Sequence, residues 1–194
     1  PECHILKPHR PVSPAASCPL ITGTAVRDYD KFFTDESKRV GQAHAVAFPR
    51  STEEVAGAIR AAIDHDWPVT ISGARTGIAA GAVPDGGLVI SLERMNRLTG
   101  LRSLGGDRYA VSAEAGALLA DLQRALREWI FTDSATWDAD SLVLLDALRG
   151  QPFFFPPDPT ETSASVGGMI ACNASGAHTF RYGPTRPYVS AVTV

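Results

Sequence analysis

Val69-Thr70-Ile71-Ser72-Gly73-Ala74-Arg75-Thr76-Gly77-Ile78-Ala79-Ala80-Gly81 is the stretch on which the reading of this chain turns. Its first three residues are all β-branched and read as a buried strand. A loop with three glycines follows directly. Glycine accepts positive φ and lets a backbone come close to a ligand. Successive N–H groups in such a loop form an anion-binding concavity. A second run begins at Pro156-Pro157-Asp158-Pro159, passes through Ser165-Val166-Gly167-Gly168 and Asn173-Ala174-Ser175-Gly176, and ends at Arg181-Tyr182-Gly183. Either run alone reads equally well as a surface loop. Together, with Ser, Thr and Asn interleaved, they point to a long ligand containing a diphosphate.

Familiar phosphate motifs do not fit. A P-loop needs a lysine after its last glycine, and none follows Gly77 or Gly81. The dinucleotide fingerprint Gly-x-Gly-x-x-Gly differs from the Gly73, Gly77, Gly81 spacing. That spacing also occurs on membrane-helix dimer faces, but Ser72, Arg75 and Thr76 lie within it and no long apolar stretch surrounds it.

Several stretches carry a resemblance. Ala45-Val46-Ala47-Phe48-Pro49 to Glu53-Glu54-Val55, then Pro68 to Pro84, then Leu88 to Asn96, resemble the FAD-binding domain of the vanillyl-alcohol oxidase / p-cresol methylhydroxylase (PCMH) flavoproteins. Phe155-Pro156-Pro157-Asp158-Pro159 to Val194 resembles, more narrowly, the FAD-linked glycolate oxidase and D-lactate dehydrogenase branch. The likeness covers Gly41 to Val194, less an unfamiliar segment at Thr132–Gly150.

The resemblance implies a PCMH-type α+β fold of two small lobes, truncated at its C-terminal end. A lead-in would occupy residues 1–40 and the FAD-binding domain residues 41–194, with a substrate domain absent. It implies that Ser72, Gly73, Ala74, Arg75, Thr76, Gly77, Ile78 and Gly81 hold the FAD pyrophosphate. Asp158, Thr162, Ser163, Ser165, Gly167, Gly168, Asn173, Ser175 and Gly176 would line the other side of the cofactor. Relatives with a histidyl-linked flavin carry a histidine beside the loop glycines; none stands in Gly73–Gly77, so the FAD is expected to be non-covalent.

By the same resemblance the parent enzyme oxidises a 2-hydroxy acid such as D-lactate or glycolate, and passes electrons to an iron–sulfur or other acceptor partner. Its base and substrate contacts belong to the missing C-terminal domain. No catalytic residue is therefore nominated, and the chain alone is expected to be inactive. Two other readings stay open: a non-catalytic FAD-carrying subunit or fragment, and a reductase of the kind that forms UDP-N-acetylmuramate. The expected location is the cytoplasm, with peripheral contact at the inner face of the membrane.

Composition agrees with a globular domain. Of 194 residues, 44% are hydrophobic and 20% charged, too apolar for a disordered chain. Eighteen basic and 21 acidic residues are interspersed, so no nucleic-acid footprint is present. Cys3, Cys18 and Cys172 follow no disulfide pattern, and Cys3, His4, His9 and Cys18 match no zinc spacing. Cys172 reads as a small buried residue near the cofactor.

Along the chain, Pro1–Pro19 reads as an arm. Ala45–Phe48 reads as a strand. Ser51-Thr52-Glu53-Glu54 is a capping box, opening a helix with Val55, Ile59, Ala62 and Ile63 inward. Leu88–Leu92 is a further strand after the Asp85-Gly86-Gly87 turn. Thr99–Leu104 and Tyr109–Glu114 form a hairpin, and Ala117–Glu128 a second helix with Leu118, Leu122, Ala125 and Leu126 inward. Ser141–Arg149 has helical character, with Gly150 as its stop. Phe153-Phe154-Phe155 reads as core. Ser165–Ala171 reads as a short helix whose two first-turn glycines suit a ligand lying against the backbone, with close packing as the plain alternative. His178 is read as structural, and Arg181, Tyr182 and Arg186 as residues in reach of phosphate or carboxylate. Tyr188–Val194 reads as a final strand.

Overall fold

The structure, a computed structural model, describes residues 4–6 and 16–193. They fall into two compact units, one within Pro8–Met95, the other Asn96–Val194 together with Pro1–Lys7. Strand β1 (His4–Leu6) belongs to the second unit.

The first unit is built on β2 (Leu20–Thr22), β3 (Ala45–Ala47), β4 (Val69–Ser72) and β5 (Leu88–Ser91). Their order in the sheet is β2-β3-β5-β4, with β3, β5 and β4 parallel and β2 antiparallel to β3. β3 and β5 are fully buried, as continuous apolar runs in a sheet covered on both faces require. Strand periodicity splits them cleanly. Ala45, Ala47, Leu88 and Ile90 face helix α1 (Thr52–Asp64) and pack on its Ala58 and Ala62. Val46, Phe48 and Val89 face the other way, onto Val26 and Phe32 of a 3₁₀ segment at Gly23–Phe32.

Residues before Gly41 contribute to this unit: β2 adds an antiparallel strand to the sheet, and the 3₁₀ segment adds Val26 and Phe32 to the core. Three expectations change here. The strand at Val69–Ser72 is an edge strand, with Val69 and Ile71 on the surface and Ser72 alone buried. The inward face of α1 is the alanine stripe; Ile63 is 71% exposed and Ile59 also faces solvent. Small residues on both helix and strand let the two backbones approach, which rotates the larger side chains outward. The cap is as read on one side, with Glu54 N–H donating to Ser51 Oγ at 3.2 Å, but the Glu54 carboxylate accepts from Arg50 N at 2.7 Å.

In the second unit β6 (Leu98–Gly105) and β7 (Arg108–Ala113) form the hairpin, turning at Gly105 and Gly106, both at positive φ. Helix α2 (Leu119–Glu128) packs Leu122 and Ala125 against Leu98, Leu101, Phe131 and Trp137. Leu118 is the residue before the helix, so the fully buried leucine is Leu119, which meets Ala164 and Met169. The unfamiliar 132–150 segment is a 3₁₀ turn at Ser134–Thr136 followed by helix α3 (Ala139–Ala147), with Gly150 beyond it at positive φ. Helix α4 (Val166–Cys172) and α5 (Thr179–Tyr182) follow. Strand β8 (Ala191–Thr193) pairs in parallel with β1; the strand expected from Tyr188 starts only at Ala191, and Tyr188 instead ends a 3₁₀ turn at Arg186–Tyr188. Cys3 and His9 lie outside the described residues, as do the side chain of His4 and the 7–15 part of the expected arm.

Candidate cofactor site

The loop after β4 leaves the carboxyl end of a strand in a parallel ladder, where α/β sheets place ligands. Its positive-φ residues are Arg75 (φ 60°) and Ala80 (φ 59°), not the glycines. Gly77 and Gly81 instead face open space: a Cβ built on either meets nothing within 4 Å. Among the described residues, the N–H groups of Thr76, Gly77 and Ile78 donate to no protein acceptor. Ile78 is 82% exposed. The loop thus presents unspent donors on an unobstructed face, which an anion can use.

Two buried side-chain atoms near this loop lack partners among the described residues, Ser72 Oγ and Asp35 Oδ2. Ser72 opens the loop and is fully buried. Arg75 does not extend as a free cation. Its guanidinium carbon lies 4.5 Å from the centroid of the Phe32 ring, and Nη1 donates to Gly73 O at 3.3 Å. Burial lowers its proton affinity, and the charge of Glu93 opposes that.

The second run lies in the second unit, and its glycines have other work. Val166 N–H donates to Ala117 O and Gly167 N–H to Ala115 O, both at 2.8 Å, while Gly168 N–H donates to Ser165 Oγ at 3.3 Å. The first-turn donors of α4 are therefore spent inside the protein, contrary to the expectation that they face an anion. A Cβ on Gly167 would sit 2.8 Å from both Ala115 Cβ and Ala115 O. The plain packing explanation accounts for Gly167; Gly168 is exposed. Gly176 likewise has the Asp158 and Pro159 backbone where its Cβ would be. Asn173 takes the left-handed position after α4, and its Oδ1 accepts from Arg186 N at 2.9 Å.

Thr162, Ser163 and Ser175 are exposed. Ser163 Oγ donates to Glu161 at 2.7 Å, and Thr162 O accepts from Ala120 N at 3.1 Å. Cys172, expected buried, is exposed. Asp158 Oδ2 lies 3.5 Å from His178 Nδ1. Both line a cleft of about 410 Å³ with Arg127 and Phe153–Phe155. That triplet is not core throughout: Phe154 is 62% exposed, while Phe155 packs against the cluster of Leu119, Ala164 and Met169. Of Arg181, Tyr182 and Arg186, Arg181 stacks 5.3 Å over the Tyr182 ring.

Sequence reasoning missed Asp35 and Gly41. A signal existed for the first: Asp35 Oδ1 accepts from Ser37 N at 2.9 Å, the Asx turn that Asp-x-Ser favours. Among the described residues no cluster suited to a metal ion occurs, and no helix is long and apolar enough to cross a membrane.

Residues 43–138 match the FAD binding domain family. The chain is 38% identical to a D-lactate dehydrogenase of Anaerostipes hadrus over 85% of its own length and 30% of that protein's. It is 35% identical to a D-2-hydroxyglutarate dehydrogenase of Xanthomonas citri pv. viticola over 77% of its length and 27% of the relative's. Among solved structures it superposes on glucooligosaccharide oxidase from Acremonium strictum, described with a 6-S-cysteinyl, 8α-N1-histidyl FAD. The TM-score is 0.60 at 20% identity, covering 87% of this chain and 30% of that one. The chain thus spans about three tenths of the length of these relatives.

Proposed function

Residues 43–138 of this chain belong to the FAD-binding domain family, in the α+β fold of the vanillyl-alcohol oxidase / p-cresol methylhydroxylase flavoproteins, and on that premise we propose that it is the cofactor-binding part of an FAD-dependent oxidoreductase acting on 2-hydroxy acids. The observation that carries the reading is the loop after β4, with open space before Gly77 and Gly81 and unspent N–H groups at Thr76–Ile78. The buried, unpartnered Ser72 Oγ fits the same ligand, because a hydroxyl can donate to a phosphate oxygen. The dehydrogenase relatives support the 2-hydroxy-acid substrate class.

In this reading residues 72–81 hold the diphosphate through backbone N–H groups. Asp158, Thr162, Ser163, Gly168, Asn173 and Ser175 contribute surface toward the rest of the cofactor, and Ser165, Gly167 and Gly176 shape that surface from beneath. When bound, FAD supplies the two-electron acceptor. This chain's residues bind and orient it. The substrate's base and carboxylate contacts, and the redox partner, belong to polypeptide beyond the span matched here. The domain covers residues 41–194 functionally, with 20–40 as part of its framework. This part of the protein holds the flavin without a covalent link, since Gly73–Gly77 contains no histidine. A cytoplasmic location with peripheral membrane contact completes the reading, and fractionation of cells checks it.

The test is direct. The purified protein should show a flavin spectrum, or regain one on incubation with FAD. In the parent enzyme, D-lactate, D-2-hydroxyglutarate or glycolate should bleach the flavin band under anaerobic conditions. A protein that takes up no FAD overturns the cofactor assignment; a flavoprotein bleached by none of these acids overturns the substrate class alone.

A further inference from the structure

The segment from Phe32 to Gln42 is tied at several points to the stretch between β4 and β5. Glu36 N–H donates to Arg75 O at 3.2 Å, Gln42 N–H to Pro84 O at 3.1 Å, and Gly86 N–H to Gln42 O at 2.8 Å. Gly41 has no room for a side chain, because Pro84 O occupies the Cβ position. Thr34 and Val40 close the segment on itself by an antiparallel bridge. At its centre Asp35 is 5% exposed. Burial works to raise its carboxyl, and hydrogen bonds from Ser37 and the Ala82 N–H outweigh that, so it is held as a buried carboxylate below the ordinary aspartate range. Its Oδ2 still makes no full hydrogen bond among the described residues.

Arg75 answers from the loop side. A non-glycine residue at φ 60° is sterically disfavoured and needs its neighbours to hold it there. Here its carbonyl accepts from Glu36, and its guanidinium covers Phe32, a fully buried ring anchored edge-on to Phe48 at 5.0 Å. Among the described residues, the N–H groups of Thr76–Ile78 have no bonds of their own to fix them. Their arrangement is therefore set from outside the loop.

We propose that Phe32–Gln42 is a clasp that presets the 72–81 loop for a dinucleotide diphosphate, with Asp35 and Arg75 as positioning residues that determine selectivity for FAD over phosphate-free flavin. The inference rests on the FAD reading above. Preorganisation matters because a loop ordered before binding does not lose that freedom on binding. Riboflavin has no phosphate and gains nothing from the loop, so the clasp should act on FAD affinity alone.

The experiment titrates flavin-free protein with FAD and, separately, with riboflavin, following quenching of flavin fluorescence, alongside thermal melting of the flavin-free form. Arg75→Gly relieves the positive φ but deletes the contact with Phe32; it should weaken FAD by about tenfold or more while leaving riboflavin within about twofold. Asp35→Asn and Gly41→Ala should act in the same direction. Arg75→Lys, which keeps a cation over the ring, should recover part of the FAD affinity. Unchanged FAD affinity in Arg75→Gly and Asp35→Asn overturns the clasp and leaves the FAD reading standing. Parallel loss for both flavins with a lower melting temperature also overturns it, since the segment would then serve folding only. No FAD binding by the unmodified protein overturns the functional reading and the clasp together.

Discussion

Residues that look alike in the sequence prove unlike in space. Gly77 and Gly167 each sit in a glycine-rich run, but Gly77 faces empty space and Gly167 faces the Ala115 backbone. Two opposite outcomes follow. Gly77→Val should leave the flavin-free protein's melting temperature nearly unchanged, because no protein atom obstructs it. It should weaken FAD by roughly tenfold or more, since a β-branched side chain would stand where the phosphates approach. Gly167→Ala should instead destabilise the second unit by about 1–3 kcal/mol through overpacking, read as a fall in denaturation midpoint. Titration and melting of the two variants check the pair; a Gly77→Val protein that binds FAD normally would remove the loop from the site. The αL backbone at Arg75 and Ala80 belongs to the same scale. Sequence assigns positive φ to glycine by default, and only tertiary tethering puts it on an arginine.

At the scale of elements, side chains fasten strands to helices and close their ends. Ser141, in the first turn of α3, is 3% exposed; its Oγ accepts from Leu101 N at 3.1 Å and donates to Leu101 O at 3.0 Å. Gly100 makes room for it, since a Cβ there would lie 2.8 Å from that Oγ. Ser141→Ala should cost about 1–3 kcal/mol, because it strands a buried backbone donor and acceptor; chemical denaturation reads the loss. Glu114 closes the open end of the hairpin. Its carboxylate accepts from Arg97 N at 2.9 Å and from Arg97 Nη2 at 2.7 Å. Burial pushes its carboxyl up, but the bonds and charge of Arg97 win and hold it below the ordinary 4.5. A carboxyl depressed in the folded state stabilises the fold fully above the unfolded value, and loses that contribution as pH falls through the folded one. Glu114→Gln should therefore flatten the decline of melting temperature below about pH 4.5, while lowering stability near neutrality. An acid limb identical in both proteins would rule the pair out as its cause.

For the whole molecule, the flavin should come away cleanly. Residues 72–81 offer no histidine or cysteine for a bond to the ring, so acid precipitation of the flavoprotein should leave its flavin in the supernatant; flavin on the pellet, mapped to a peptide of this chain, would contradict that. Much of the architecture was legible without coordinates. Short apolar runs bounded by Pro or Gly marked β3 and β5, two runs across a Gly-Gly-Asp turn marked the hairpin, Ser51 marked the start of α1, and the strand-then-glycine order marked the loop, because each is a local property of a few consecutive residues. The ordered, spaced motifs also fixed the family. Burial was less legible. Which face of α1 packs depends on how closely its alanines meet β3 and β5, and whether Val69–Ser72 is central or edge depends on which strands lie beside it. Least legible was Phe32–Gln42, an unremarkable lead-in by composition. Its role comes from hydrogen bonds to residues some 40 positions away, such as Gln42 to Pro84 and Glu36 to Arg75. The sequence by itself determined most of the elements, the cofactor class and the loop proposed to receive it, since those are written in neighbouring residues. Only the tertiary structure decided which glycines face open space and which face the protein, and what tethers the loop, because both depend on atoms that the chain brings together from far apart.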